Sequence, residues 1–264
     1  MCPPEHFVVE YAINPWMDVT SPVDTELALK QWQGLRETLQ RLGHEVHVLA
    51  PEIGLPDMVY AANGAFTVDG VVYGARYRFP QRTLEEAAHK RFYASTFADW
   101  RFVAPSYVNE GEGDFAYLPA AYGGMVLAGH GFRTEPLAHA EAQDALSRPV
   151  VSLRLVDPRF YHLDVALAAI DDENVAYFPG AFAESSQRVL RQLFPDAIEA
   201  SATDAAVLGL NAVSDGHHVV MPVQATGLAK QLAERGYEPV PVDLSELLKA
   251  GGGPKCCTLE LRSA

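Results

Sequence analysis

The sequence predicts an α/β fold, a propeller-like ring of five strand–strand–helix–strand units around a common axis. A fold period of about fifty residues, strand patterns alternating with amphipathic helices, and the absence of a dinucleotide-binding G-x-G-x-x-G turn after a strand carry that prediction. The period is marked by polar residues closing apolar runs. Asn14, Asn63, Asp114, Asp164 and Asn211 stand 49, 51, 50 and 47 residues apart. A unit this small cannot bury its own apolar face, so neighbouring units must pack on one another. Equivalent polar residues then converge on one central space.

The first unit reads FVVEYAIN, then the helical stretch TELALKQWQGLRETLQRLG, then HEVHVLA; NPWMDVTSPVD replaces the hairpin. The second reads MVYAAN, the hairpin GAFTV-DG-VVYGA, the helix TLEEAAHKRFYASTF and the strand RFVAP. The third follows NEGEGD with FAYLPAAYGG-MVLAG, EPLAHAEAQDAL and PVVSLRLV. The fourth follows RFYHLD with VALAAIDDE-NVAYF, ESSQRVLRQLF and AIEAS. The fifth follows AVLGLN with AVS-DG-HHVVMPV, GLAKQLAERGY and EPVPVDL. The Asp-Gly pairs at 69–70 and 215–216 suit tight hairpins, which demand the positive φ these residues tolerate. Apolar residues recur at three- and four-residue steps in each helical stretch.

At 264 residues with 48% hydrophobic and 20% charged residues, the chain is an ordinary globular sequence, read as one domain over 1–264. Lys+Arg 20 against Asp+Glu 34 gives −14, which speaks against nucleic acid and anionic membranes and favours a cationic small molecule. No apolar run approaches the ~20 residues of a membrane span, and MCPPEHFVVEY lacks the pattern of a signal peptide, so a soluble cytoplasmic protein is expected. Cys2, Cys256 and Cys257 form no disulfide framework, and neither C-x-x-C nor H-E-x-x-H occurs, so no structural zinc is expected. The sequence leaves assembly with a second copy open.

Four segments carry chemistry. Cys256 and Cys257 follow GGGPK and open the alternating stretch TLELR, read as a strand whose adjacent residues face opposite sides, one thiol reactive and one packed. His162 and Asp164 lie two apart in an extended reading, imidazole beside carboxylate, as general acid–base chemistry needs. Glu110, Glu112 and Asp114 in NEGEGD gather three carboxylates, without the spacing of a calcium loop; a guanidinium, whose planar fork takes paired carboxylates, suits them better. Asp57 and Asn63 end the apolar run DMVYAAN on one face. Arg76, Arg78 and Arg82 in GARYRFPQR and Arg133 in GFRTEP sit at loops after two repeat strands, where arginines can clamp a carboxylate.

Taken in order, P-D-x-V-Y-x-x-N at Pro56–Asn63, E-G-x-G-D at Glu110–Asp114, H-x-D at His162–Asp164 and GGGPKC ending at Cys256 resemble the guanidino-group-modifying enzymes, the pentein superfamily. That group includes dimethylargininases, arginine deiminases, arginine dihydrolases and amidinotransferases, and the resemblance spans essentially the whole chain. It implies a five-bladed α/β propeller of ββαβ repeats around a central active-site channel, with no metal or organic cofactor. Cys256 matches the nucleophile, counted back from Arg262 along C-C-T-L-E-L-R. His162 matches the general acid/base and Glu110 the triad carboxylate. Asp57 and Asn63 match the guanidinium-facing pair, with Asp164 and Asp114 nearby, and Arg82 and Arg133 match the α-carboxylate clamp. The extra residue in E-G-E-G-D makes Glu112 a rival to Glu110. Asn63 stands where deiminases and dimethylargininases usually carry Asp and where arginine dihydrolases carry Asn. The resemblance implies attack on the guanidinium carbon of arginine or a methylated arginine through a covalent thiouronium. Citrulline, or ornithine with ammonia and carbon dioxide, would be the product. Transfer to an amine acceptor, or a non-enzymatic binding protein of the same fold, are the alternatives.

Overall fold

A computed structural model describes residues 1–263. Chain order gives α1 (Thr25–Arg41), β1 (Ala65–Val68), β2 (Val71–Gly74), α2 (Glu85–Thr96), β3 (Arg101–Val103), β4 (Phe115–Leu118), β5 (Met125–His130), α3 (Pro136–Leu146) and β6 (Val150–Arg154). It continues with β7 (Leu167–Ala169), β8 (Val175–Tyr177), α4 (Glu184–Leu193), β9 (Ile198–Glu199), α5 (Ala202–Ala205), β10 (Val213–Ser214), β11 (His218–Pro222), α6 (Thr226–Glu234), β12 (Glu238–Val242) and α7 (Ser245–Leu248). The strands form four three-stranded sheets, β1-β2-β3, β4-β5-β6, β7-β8-β9 and β10-β11-β12.

Each sheet repeats one topology. An antiparallel hairpin is followed by a helical crossover that brings the third strand in parallel to the second. That is the predicted unit, four times over. The Asp69–Gly70 turn has φ of 49° and 72°, the positive values that let a two-residue loop match the twist of its strands.

The first unit differs. Its helix α1 forms, with Asp24 accepting from the Leu27 amide at 2.9 Å as N-cap and with Ala28, Trp32, Leu35 and Leu39 buried at helical spacing. Neither FVVEYAIN nor HEVHVLA is a strand, however. The second segment is held instead by backbone bonds at one point, Met1 N to His47 O and Leu49 N to Met1 O, both 2.9 Å. Without a hairpin in this unit there is no partner for a regular ladder.

Three further strand readings are corrected. DMVYAAN forms two 3₁₀ turns, Pro56–Val59 and Ala61–Gly64. Asp164 lies on another, Leu163–Val165, preceded by an extended His162. The cysteines sit in a turn, with Cys257 N on Gly253 O at 3.2 Å, and TLELR is irregular. That last stretch runs beside β1, where Thr67 Oγ1 donates to Glu260 O at 2.7 Å and Gly70 N to Arg262 O at 2.9 Å. DMVYAAN and the stretch around Asp164 are short runs buried on all sides, which periodicity cannot tell from a strand, whereas TLELR is half-buried.

The main core joins units through large side chains: Trp32 and Leu35 of α1, Leu127, Leu153, Phe160, Tyr177 and Leu190 belong to one cluster. At ~1.5–3 kcal/mol per large apolar side chain, this packing is what fixes the turns between the sheets. Those turns carry the polar residues of interest.

Candidate active site

The 3₁₀ turns exist where two segments approach too closely for a strand. Gly111 has φ of 53°, and a Cβ there would lie 2.4 Å from Ala65 O. At Gly113 a Cβ would fall 2.3 Å from Asn63 Nδ2 and 3.2 Å from the His162 ring. Only glycine lets the 56–64, 110–114 and 162–164 segments meet. Asn63 and His162 therefore pack against the same Cα.

Around that point the predicted residues assemble. Glu110 Oε2 accepts from His162 Nε2 at 2.7 Å and from Arg133 Nη1 at 2.7 Å, all three buried. Burial alone would raise the Glu110 carboxyl. The Arg133 charge and the His162 hydrogen bond outweigh it and hold the group well below the usual carboxylate range. An ionised Glu110 places the His162 proton on Nε2 and leaves Nδ1 with its lone pair free.

Cys256 Sγ lies 3.0 Å from Asn211 Nδ2 and 3.1 Å from Asp164 Oδ2. Asp164, which holds the sulfur, follows His162 by two residues on the 3₁₀ turn Leu163–Val165. Burial, with the neighbouring Asp164 carboxylate, pushes the Cys256 thiol well up. The Asp164 carboxyl is itself raised to about 7, chiefly by burial, against the Cys256 hydrogen bond. At rest the thiol holds its proton and donates it to Asp164. Asn211 Oδ1 also accepts from the Cys256 and Gly253 amides at 3.0 Å each, fixing the turn that presents the sulfur.

Asp57 accepts from Tyr11 OH at 2.9 Å, and burial raises its carboxyl despite Arg82 and Tyr11. Arg82 places Nε and Nη2 on Glu85 at 2.9 and 2.8 Å, Nη1 on Asn63 Oδ1 at 2.6 Å and Nη2 on Asp57 O at 3.0 Å. Its fork is thus spent on Glu85, which corrects the expectation that it stands open for a carboxylate. Arg133 donates Nη1 to Glu110 and Nη2 to Ile13 O at 3.0 Å, and its guanidinium lies 4.7 Å from the rings of both Phe79 and Tyr161. Three of its five N–H groups are uncommitted.

Asp114 was expected to face the ligand. It spends its oxygens on the Leu163 and Thr134 amides at 3.0 and 3.2 Å, bracing the His162 loop. Asn14 is likewise tied to Ala250 O and the Trp16 amide. Glu112, the rival triad acid, faces away, accepting from Lys255 Nζ at 2.7 Å and Arg262 Nη1 at 2.5 Å. Of Arg76 and Arg78, the first donates to Ser106 O, and the second contributes only its backbone amide, 3.3 Å from Glu110 Oε1.

One feature separates this cluster from ordinary core. Among the described residues, nine buried side-chain polar atoms lack a hydrogen-bond partner, and four of them are Asp57 Oδ1, Asn63 Nδ2, His162 Nδ1 and Asp164 Oδ1. An orphaned buried group costs ~1–3 kcal/mol, so four in one contact network mark a place completed by a ligand. A cavity of about 580 Å³ lies elsewhere, between α2 and the C-terminal segment, and carries none of these atoms. Tyr11, Glu85 and Asn211 were not foreseen as site residues. Only Asn211 had left a signal, its place in the polar series.

The fold is that of the guanidino-group-modifying enzymes. The chain is 55% identical over 261 residues to the N(G),N(G)-dimethylarginine dimethylaminohydrolase of Mycobacterium tuberculosis, across 99% of this chain and 84% of that protein. It is 34% identical over 264 residues to the bifunctional arginine dihydrolase/ornithine cyclodeaminase ArgZ of Synechocystis sp., across 99% of this chain but 37% of that longer protein. Crystal structures of the N-terminal domain of ArgZ, from cyanobacteria, bound to substrate or covalently to a reaction intermediate, match with TM-score 0.92 at 33% identity. Each covers 100% of this chain and 97% of that one. No family model matches the sequence. The chain belongs to the dimethylarginine dimethylaminohydrolase family.

Proposed function

We propose that the protein hydrolyses the guanidinium group of free arginine through a covalent thiouronium on Cys256, and that residues 1–264 act as one catalytic domain in the cytoplasm. The observation that carries this reading is the set of four orphaned polar atoms beside a buried thiol. Two of them are carboxylate oxygens, of Asp57 and Asp164, which suit the N–H edges of a planar cation. Arg133 takes the α-carboxylate. Arg82 acts through Asp57 and Asn63, and Asp114 through the His162 loop.

The chemistry follows from the resting hydrogen bonds. The entering cation favours the Cys256 thiolate, whose proton passes by way of Asp164 to the free Nδ1 of His162, making the imidazolium. Sulfur adds to the guanidinium carbon, the imidazolium of His162 protonates the departing nitrogen from Nδ1, and ammonia leaves. His162, neutral again, takes a proton from water as that water attacks the thiouronium carbon, and collapse of the adduct breaks the C–S bond and returns the Cys256 thiolate. Glu110 holds the imidazole in orientation and stabilises its charged form throughout. Asn63 distinguishes the outcome. Its Oδ1 is taken by Arg82, so the atom facing the site is an N–H donor. A guanidinium has no acceptor for it, whereas an attacking water or the ureido oxygen left after the first hydrolysis does. That supports a second round, giving ornithine, two ammonia and carbon dioxide from arginine and two waters.

The 55% identity to a protein named for dimethylarginine favours a second reading, in which dimethylamine departs and citrulline remains. Supplying arginine, monomethylarginine and asymmetric dimethylarginine separately, and quantifying ornithine, citrulline and ammonia, decides between them. Two ammonia per ornithine from arginine is expected, with Cys256→Ser inactive. Citrulline from the dimethylated substrate alone would replace the first reading with the second. Turnover surviving Cys256→Ser would end both.

A further inference from the structure

The last sheet presents a side-chain cluster that the proposed reaction does not use. β11 and β12 run parallel with His218 opposite Glu238, and the Glu238 amide donates to His217 O at 2.8 Å. This register brings three side chains to one point at the sheet's end. His217 Nε2 lies 3.8 Å, and His218 Nε2 3.9 Å, from the same Glu238 oxygen, Oε2. All three ligand atoms fall within 4.8 Å of one another. Those separations are too long for hydrogen bonds. They are close to the roughly 3.3–3.4 Å edge of a tetrahedron built on metal–ligand bonds of ~2.0–2.1 Å.

A fourth residue prepares the donors. Asp215 Oδ2 sits 2.8 Å from His218 Nδ1, while its Oδ1 accepts the His217 and His218 amides at 2.9 and 2.7 Å. The carboxylate therefore puts the His218 proton on Nδ1 and leaves the Nε2 lone pair toward Glu238. A carboxylate behind a ligating imidazole is the usual outer shell of a zinc site. The His217 and His218 rings meet edge-on, 71° apart, so each nitrogen can aim at a shared ion. His217 and Glu238 are 62% and 63% exposed, which leaves solvent at the fourth position.

We propose that His217, His218 and Glu238 form a surface site for Zn²⁺, oriented by Asp215 and completed by water, separate from the thiol centre. Two imidazoles with one carboxylate select zinc over calcium or magnesium. A bound ion clips the start of β11 to the start of β12.

Tag-free Cys256→Ala protein, which lacks the active-site thiol as a competing ligand, is titrated with Co²⁺ and then back-titrated with Zn²⁺. One equivalent of Co²⁺ with the intense visible bands of tetrahedral coordination, displaced by Zn²⁺, is expected. His218→Ala or Glu238→Gln should weaken binding at least 100-fold, and Asp215→Asn about 10–100-fold. Zn²⁺ should raise the melting temperature of the parent and not of His218→Ala, whose metal-free melting temperature checks folding. Unchanged stoichiometry in His218→Ala and Glu238→Gln, or no binding by the parent up to millimolar metal, would overturn the assignment.

Discussion

Glu110 and Glu112 are two residues apart on one turn, both buried, and they face opposite neighbourhoods. Glu112 meets Lys255, Arg262 and the Glu260 amide, and Glu260 caps the same two cations at 2.6 Å each. Every charge there has a protein partner. Glu110 meets His162 and Arg133, yet around it lie the unpartnered atoms of Asp57, Asn63, His162 and Asp164. The first network is saturated and clasps the C-terminal segment to β1. The second is open and waits for a ligand. Charge and burial do not tell the two apart; satisfaction does.

Glu110→Gln tests that contrast with the largest effect. An amide neither fixes the His162 proton on Nε2 nor supports an imidazolium, so kcat should fall ~10²–10⁴-fold with little loss of melting temperature. Glu112→Gln should do the reverse, costing about 3 kcal/mol by leaving buried cations half-paired while the folded protein turns over near the parent rate. Urea denaturation and steady-state assays on both variants check this. If the two variants exchange phenotypes, Glu112 is the triad acid and the contrast is inverted.

The open network also carries a pH signature. Asp164 has its carboxyl raised from 3.8 to about 7 by burial. The native state holds a proton that the unfolded state releases, so this group's contribution is full below about pH 4 and is lost as pH rises through 7. Asp164→Asn removes that loss. Its stability relative to the parent should climb between pH 4 and pH 8, by up to about 4 kcal/mol, while turnover falls. A difference independent of pH would show that Asp164 is ionised throughout and belongs with the saturated group.

Much of this was legible in the sequence. The fifty-residue period and the helical spacing located four sheets and their crossovers, because a repeat that must bury its faces against copies of itself leaves a regular pattern. The ordered motifs named Cys256, His162, Glu110, Asp57 and Asn63, all of which the fold buries. What stayed hidden depended on partners far along the chain. Which way Glu110 and Glu112 point is set by the positive φ of Gly111 and by cations far along the chain, Arg133 for the first and Lys255 and Arg262 for the second. Arg82 reads as a free clamp until Glu85 and Asn63 occupy it. The proposed metal donors were hidden in the same way, since His218 and Glu238 are neighbours only through the parallel register of β11 and β12.

The smallest effect concerns the adjacent thiols, where the same contrast repeats at one residue's distance. Cys256 is held by Asn211 and Asp164 at the open network. Cys257 is fully buried in the main apolar cluster, and burial pushes its thiol up. With no polar partner for its sulfur, Cys257 acts as a small apolar side chain. Cys257→Ala then removes packing alone and should cost ~1 kcal/mol, with kcat and KM unchanged. Thiol-directed inactivation should proceed at the parent rate in that variant and vanish in Cys256→Ala. A rate loss in Cys257→Ala without loss of stability would mean that the turn, rather than Asn211, aims the nucleophile.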